Sequence, residues 1–222
     1  FKANLQHANL KEAVLEGADL LGAILDESDL ERVEWGPKHR VRNHENAEHL
    51  ESHGDHEGAH AKFLESEDIY RSIRKRYEAV GLNDVAGFFF YWEMVVKRKQ
   101  MARYAPARIL SKFFDLLCGY GELPSRIIMS SITYIVLNAL AFCLLGMNSG
   151  GEILTFNLDS SLYENIKIFA TSLYFSVVTF TTLGYGDIGP VGWARPFAAL
   201  EAFGGVVMNT LFMLTFVKKM SR

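Results

Sequence analysis

The chain has 222 residues, 49% of them hydrophobic, and sets 23 Lys and Arg against 26 Asp and Glu, for a net charge of −3 with histidine neutral. That length holds a membrane unit of about a hundred residues and a modest further part. The overall net charge hides a segregation of charge along the chain and is not read alone, and no nucleic-acid partner is expected.

From the start, Ala3-Asn4-Leu5, Ala8-Asn9-Leu10, Ala13-Val14-Leu15, Ala18-Asp19-Leu20, Ala23-Ile24-Leu25 and Ser28-Asp29-Leu30 recur every five residues, and Val33-Glu34-Trp35 reads as a degenerate last turn. A period of five fits neither a helix at 3.6 nor a strand at 2. Residues 1–35 resemble the pentapeptide-repeat family. The resemblance implies a right-handed, four-sided β-helix with Ala and Leu inside and Asn and Asp at the corners. Seven repeats make fewer than two coils, so this stub needs more coils before Phe1, where the chain opens in mid-pattern, or a neighbour that caps it.

Residues 36–60 read as a polar link. It begins Gly36-Pro37 and carries His39, His44, His49, His53, His56 and His60. A continuous helix here would set the last four histidines on one face. Such a face could be a divalent-metal site, a pH sensor or simply a solvated surface.

Residues 61–103 turn helical in period. Phe63, Tyr70, Ile73, Tyr77 and Val80 form one stripe, Gly81 suits a C-terminal stop, and Asn83 suits the cap of a second helix striped by Val85, Phe88, Phe89, Trp92, Val95 and Val96. This predicts a cytoplasmic helical hairpin. Arg71, Arg74, Lys75 and Arg76 do not make a voltage sensor, since acids flank them and no long apolar span surrounds them. Residues 104–125 predict an amphipathic helix over 105–120. Its Ile109, Phe113, Leu116 and Leu117 oppose Arg108, Lys112 and Asp115, as in a helix lying along the inner membrane surface.

Residues 126–222 hold two apolar runs, 127–147 and 197–217, the second interrupted only by Glu201. Each is long enough to cross roughly 30 Å of hydrocarbon. A shorter helix over 165–181 lies between them and would re-enter the membrane, aiming its C-terminal carbonyl dipole inward. Lys97, Arg98, Lys99, Arg103, Arg108, Lys112 and Arg126 precede the first run, Lys218, Lys219 and Arg222 follow the second, and the segment between the runs carries Glu152, Asp159 and Glu164 before the short helix. The basic flanks put both termini in the cytoplasm. The first span would itself act as the insertion signal, and nothing resembles a cleaved leader. Cys118 and Cys143 fall in the inner interfacial segment and inside a span, and both read as free thiols.

After the short helix comes Thr181-Thr182-Leu183-Gly184-Tyr185-Gly186-Asp187. Alternating glycines let successive carbonyls point one way, which an all-L backbone resists. This heptapeptide, set between two spans, resembles the pore loop of two-transmembrane-helix potassium channels of the prokaryotic ion-channel family. Leu183 stands for their usual valine. The fold implied is a mainly α membrane protein with two transmembrane helices, a re-entrant pore helix and a selectivity filter per subunit, assembled as a homotetramer.

In such a filter Thr182, Leu183, Gly184 and Tyr185 would bind K+, the permeant ion, while Thr181, Gly186 and Asp187 would support the loop and shape its outer mouth. Gly205 is the expected hinge of the second span. Asn209, Phe212 and Phe216, at offsets of 4, 7 and 11 from it, would line the cavity and gate. Glu201 needs protein or water around it, either as a structural hydrogen bond behind the filter or as a sensor. The sequence departs from some relatives at Val178, where a glutamate partners the filter aspartate, and at Tyr174 and Phe175, where many have two tryptophans; what braces the filter is left open.

The resemblance implies passive K+ conduction with no enzyme chemistry and no cofactor. It also implies lipid as a partner, residence in the cell membrane (a prokaryotic inner membrane), and gating through the N-terminal region by an unidentified ligand or stimulus. Two alternatives stay open: a channel-derived scaffold or sensor with little conduction, and a weakly selective cation channel.

Overall fold

The computed structural model describes residues 2–220. It divides into two units, Phe1–Glu122 with Val217–Arg222, and Leu123–Phe216.

The first unit opens with the repeats. Asn4, Asn9 and Val14 bridge in parallel to Ile24, Asp29 and Glu34, so each coil takes twenty residues, or four pentapeptides. Lys2, His7, Glu12, Gly17, Gly22, Glu27 and Arg32 all have φ between 50° and 69° and turn the chain at intervals of five. The corners are therefore these positions rather than Asn and Asp. Asn4, Asn9, Asp19 and Asp29 instead accept the backbone N–H two residues on, at 3.0 to 3.1 Å, and so brace the turns.

Leu20, Leu25, Leu30 and Trp35 are buried in one core with Phe63, Tyr70, Ile73, Tyr77 and Phe89. The marginal β-helix is thus capped by this chain's own helices. Trp35 Nε1 donates to the Tyr77 hydroxyl at 2.7 Å, Tyr77 donates to the Leu30 carbonyl at 3.1 Å, and the Trp35 ring meets Phe89 edge-on at 5.0 Å.

Helix α1 (Arg42–Ser52) lies inside the segment read as a link. Its first turn exists because His44 is fully buried, its Nδ1 at 2.9 Å from the Tyr70 hydroxyl, which also accepts from Val41 N. Helix α2 (His56–Ala79) starts afresh after Gly54, with Asp55 Oδ1 accepting from Gly58 N at 2.9 Å. That break removes the common histidine face. The His49 and His53 rings lie 4.2 Å apart at the end of α1, His56 and His60 sit on α2, and no metal-ligating cluster occurs among the described residues.

Helix α3 (Asn83–Gln100) returns along α2, with Leu82 rather than Asn83 in the cap position and no side-chain cap. Helix α4 (Pro106–Cys118) leaves Ile109, Leu110, Phe113 and Leu116 exposed. Asp115 does not join its open polar face. It is buried, and Arg98 of α3 donates to its Oδ2 at 2.7 Å while also reaching the Tyr120 hydroxyl. The buried pair thus fixes α4 to α3.

The second unit holds α5 (Pro124–Leu145), β1 (Met147–Ser149), β2 (Glu152–Leu154), α6 (Leu162–Phe180), β3 (Ile188–Pro190) and α7 (Ala194–Met220), whose last residues belong to the first unit. Helices α5 and α7 have mean hydropathies of 2.1 and 1.6, yet only 28% and 17% of their most apolar windows are buried. A soluble core helix would bury far more, so both read as lipid-facing spans.

The sequence reading missed a small antiparallel sheet in the order β2-β1-β3, which pairs Met147, Asn148 and Ser149 with Pro190, Gly189 and Ile188. The Gly150-Gly151 turn between β1 and β2 was its signal. The sheet ties the segment just after the pore loop to the end of α5. Beneath it Phe142, Met147, Phe175, Ala194 and Ala198 form the core of this unit.

Candidate functional site

The pore loop starts where α6 ends. Ser161 and Glu164 cap the start of α6 reciprocally, a capping box that the Ser-x-x-Glu spacing announces. Phe142 of α5 meets Phe175 of α6 edge-on at 4.8 Å and holds the helix between the spans. Helix α6 stops at Thr181, whose hydroxyl turns back to the Val177 carbonyl at 2.7 Å, while Leu183 N donates to the Val178 carbonyl at 3.0 Å.

From there the backbone alternates. Thr182, Gly184 and Gly186 have φ of 58°, 58° and 77°, while Leu183 and Tyr185 between them are not in the left-handed region. Alternation between the two hands turns successive carbonyls to one side. A Cβ at Gly184 or Gly186 would meet nothing within 4 Å, so these positions need glycine for backbone conformation and not for space. Thr182 adopts the same hand despite its branched side chain, a strained choice, and its hydroxyl donates to the Thr181 carbonyl at 2.7 Å. Leu183 and Tyr185 are 57% and 66% exposed in the single chain.

Asp187 ends the run. The Tyr174 hydroxyl on α6 donates to its Oδ2 at 2.9 Å, and the next three residues enter the sheet as β3. Tyr174 thus occupies a bracing place that the sequence reading left open. Val178 is buried, and its side chain offers no polar group to the loop.

On α7, Gly205 is buried, and a Cβ there would lie 2.0 Å from the Phe180 carbonyl oxygen. Close approach to the end of α6 therefore accounts for this glycine without any hinge. At Gly204 the Cβ would meet the Tyr134 ring instead. Asn209 is exposed, and Phe212 and Phe216 stack on each other with centroids 5.7 Å apart. Glu201 is fully buried against Ser176 of α6, a partner that the sequence reading did not single out.

Two spans around a re-entrant helix and a glycine loop of alternating hand define a pore-loop membrane protein. Residues 131–222 match the family described as "Ion channel", and residues 1–33 match pentapeptide repeats in eight copies, one more than the spacing alone suggests. Residues 131–222 are thus a two-helix, pore-loop ion-channel domain by similarity, joined to an N-terminal pentapeptide-repeat segment. A curated relative, Protein LctB of Bacillus caldotenax, is 31% identical over 75 residues, covering 34% of this chain and 55% of its own. The chain thus spans about half the length of that relative. No solved structure matches the chain.

Proposed function

We propose that four copies of this chain form a potassium-selective pore whose opening is regulated by the N-terminal region. One observation carries the reading: the alternating hand of Thr182, Leu183, Gly184, Tyr185 and Gly186, which aligns carbonyls as a dehydrated cation requires. Four such loops would stack carbonyl rings from Thr182, Leu183, Gly184 and Tyr185. Neighbouring subunits would bury the side chains of Leu183 and Tyr185, which one chain leaves open. Ions pass without covalent chemistry, so the protein is no enzyme, and K+ is its cargo.

Regulation from the N-terminal side draws support from the end of α7. There Lys218 pairs with Glu122 and lies 5.1 Å over the Phe90 ring of α3, so the segment that follows the expected gate is held by the cytoplasmic helices. The open apolar face of α4 suits the inner lipid surface.

The test is potassium-driven flux in liposomes with sodium and barium as competitors. Flux that barium blocks and sodium does not replace supports the selective pore, and flux carried equally by sodium sinks selectivity. Removal of residues 1–60 then separates regulation from conduction: altered open probability with selectivity kept supports the regulatory part, and unaltered flux refutes it.

A further inference from the structure

Glu201 is the acid inside the apolar stretch of α7, and neither the carbonyl path nor the expected gate uses it. Its side chain is fully buried, its Oε1 lies 2.5 Å from Ser176 Oγ, and its Oε2 has no hydrogen-bond partner. No ion pair among the described residues reaches it. Tyr134, the nearby hydroxyl on α5, is already committed, donating to the Leu200 carbonyl at 3.1 Å.

Ser176 Oγ lies in addition 2.8 Å from the Ile135 carbonyl oxygen. A serine has one hydroxyl hydrogen, and here it faces two oxygens at hydrogen-bond distance. With Glu201 ionised, that hydrogen serves one oxygen and leaves the other contact as two lone pairs pressed together. With Glu201 protonated the conflict disappears: the acid O–H donates to Ser176 Oγ, and Ser176 donates to Ile135. The cost of a bare carboxylate in a span, with one oxygen unpaired and no cation beside it, acts in the same direction.

We propose that Glu201 is held as the neutral carboxylic acid and, through the donor chain Glu201 to Ser176 to the Ile135 carbonyl, positions the pore helix between both spans. The chain joins α7, α6 and α5 at one level. One turn further on, Gly205 of α7 meets the Phe180 carbonyl of α6, so residues 176 and 180 face residues 201 and 205 along a single seam. Phe180 immediately precedes the pore loop, and whatever fixes the last turn of α6 fixes the inner end of that loop. Glu201 is a positioning residue and touches no ion. The functional half of this inference rests on reading residues 181–187 as a selectivity filter, whereas the protonation state does not.

The experiment compares the full chain in lipid as wild type, E201Q, E201L and S176A. Infrared difference spectra of wild type against E201Q at neutral pH are expected to show the carbonyl stretch of a protonated carboxylic acid, and its absence overturns the neutral acid. The amide of E201Q can still donate to Ser176, so its current under sustained opening is expected to decay within about twofold of the wild-type rate. E201L removes the donor to Ser176 Oγ and S176A leaves Glu201 buried with no hydrogen-bond partner, and both are expected to decay about tenfold faster. E201Q decaying like E201L overturns the donor chain, and unchanged decay in both E201L and S176A overturns the positioning role. Should wild type itself carry no current, the pore reading fails, and the infrared band still decides the state of Glu201.

Discussion

The Tyr174 hydroxyl donates to Asp187 Oδ2 at 2.9 Å, so a single hydrogen bond joins the pore helix to the residue that closes the glycine run. Beyond it, β3 carries the chain into the sheet with β1. The C-terminal end of the loop is thus held on two sides, by a side chain and by a backbone ladder. Tyr174→Phe removes the first and leaves the ring in place. The expected outcome is a loss of about 1 kcal/mol of bracing, seen as current decay several-fold faster with K+ over Na+ preference retained. Unchanged decay in Y174F would show that the sheet alone holds this end of the loop.

Gly205 and Phe180 make the complementary contact at the N-terminal end of the loop. A methyl at 205 would lie 2.0 Å from a backbone oxygen, which cannot swing aside as a side chain can. Gly205→Ala is therefore expected to push α7 off α6 and destabilise the membrane unit by about 1–3 kcal/mol. The measurement is thermal unfolding of the detergent-solubilised protein. Gly204→Ala meets the Tyr134 ring, which can give, and is expected to cost less than G205A. A glycine required only as a hinge would leave the stability of G205A at the wild-type level while changing its gating.

These contacts also mark how far the sequence could be read. The heptapeptide and the two apolar runs are local in the chain and legible from composition and spacing, as is the five-residue period. The partners of Tyr174, Gly205, Ser176 and Glu201 lie on other elements, and no periodicity encodes which faces meet. The histidine segment misled for a physical reason. A period of 3.6 assumes an unbroken helix, whereas Gly54 and Asp55 end one helix and cap the next, and His44 goes inward to Tyr70. Gly150-Gly151 was a readable hairpin signal between two strands of only three residues each, too short to show alternation.

At the N-terminal end, Trp35 closes the β-helix against Tyr77 and Phe89. Trp35→Ala opens a cavity at the junction of coil and helices and is expected to cost about 3–5 kcal/mol. Tyr77→Phe keeps the packing but leaves the Trp35 N–H without its partner and takes one of two donors from the Leu30 carbonyl, at about 1–3 kcal/mol. Both appear as earlier melting of the first unit, followed by tryptophan fluorescence. Equal melting of Y77F and wild type would show that the hydroxyl network adds nothing to the packing.

Glu48 gives the first unit an acid-side dependence whose sign follows from its neighbours. The His44 imidazole, then the Arg40 guanidinium, hold its carboxyl down at about 2 against an ordinary 4.5. Arg40 donates to it at 2.8 Å, and His44 Nε2 lies 3.6 Å from its other oxygen. Because the folded value lies below the unfolded one, the stabilisation is fully present above about 4.5 and drains away as pH falls toward about 2. Glu48 is more than a third exposed, so solvent screening limits the effect to no more than about 1 kcal/mol. Melting of the first unit recorded between pH 6 and pH 2 is expected to fall more steeply in wild type than in Glu48→Gln, the two curves converging at the acid end. Parallel curves across that range would show that Glu48 keeps an ordinary carboxylate affinity for protons in the folded chain.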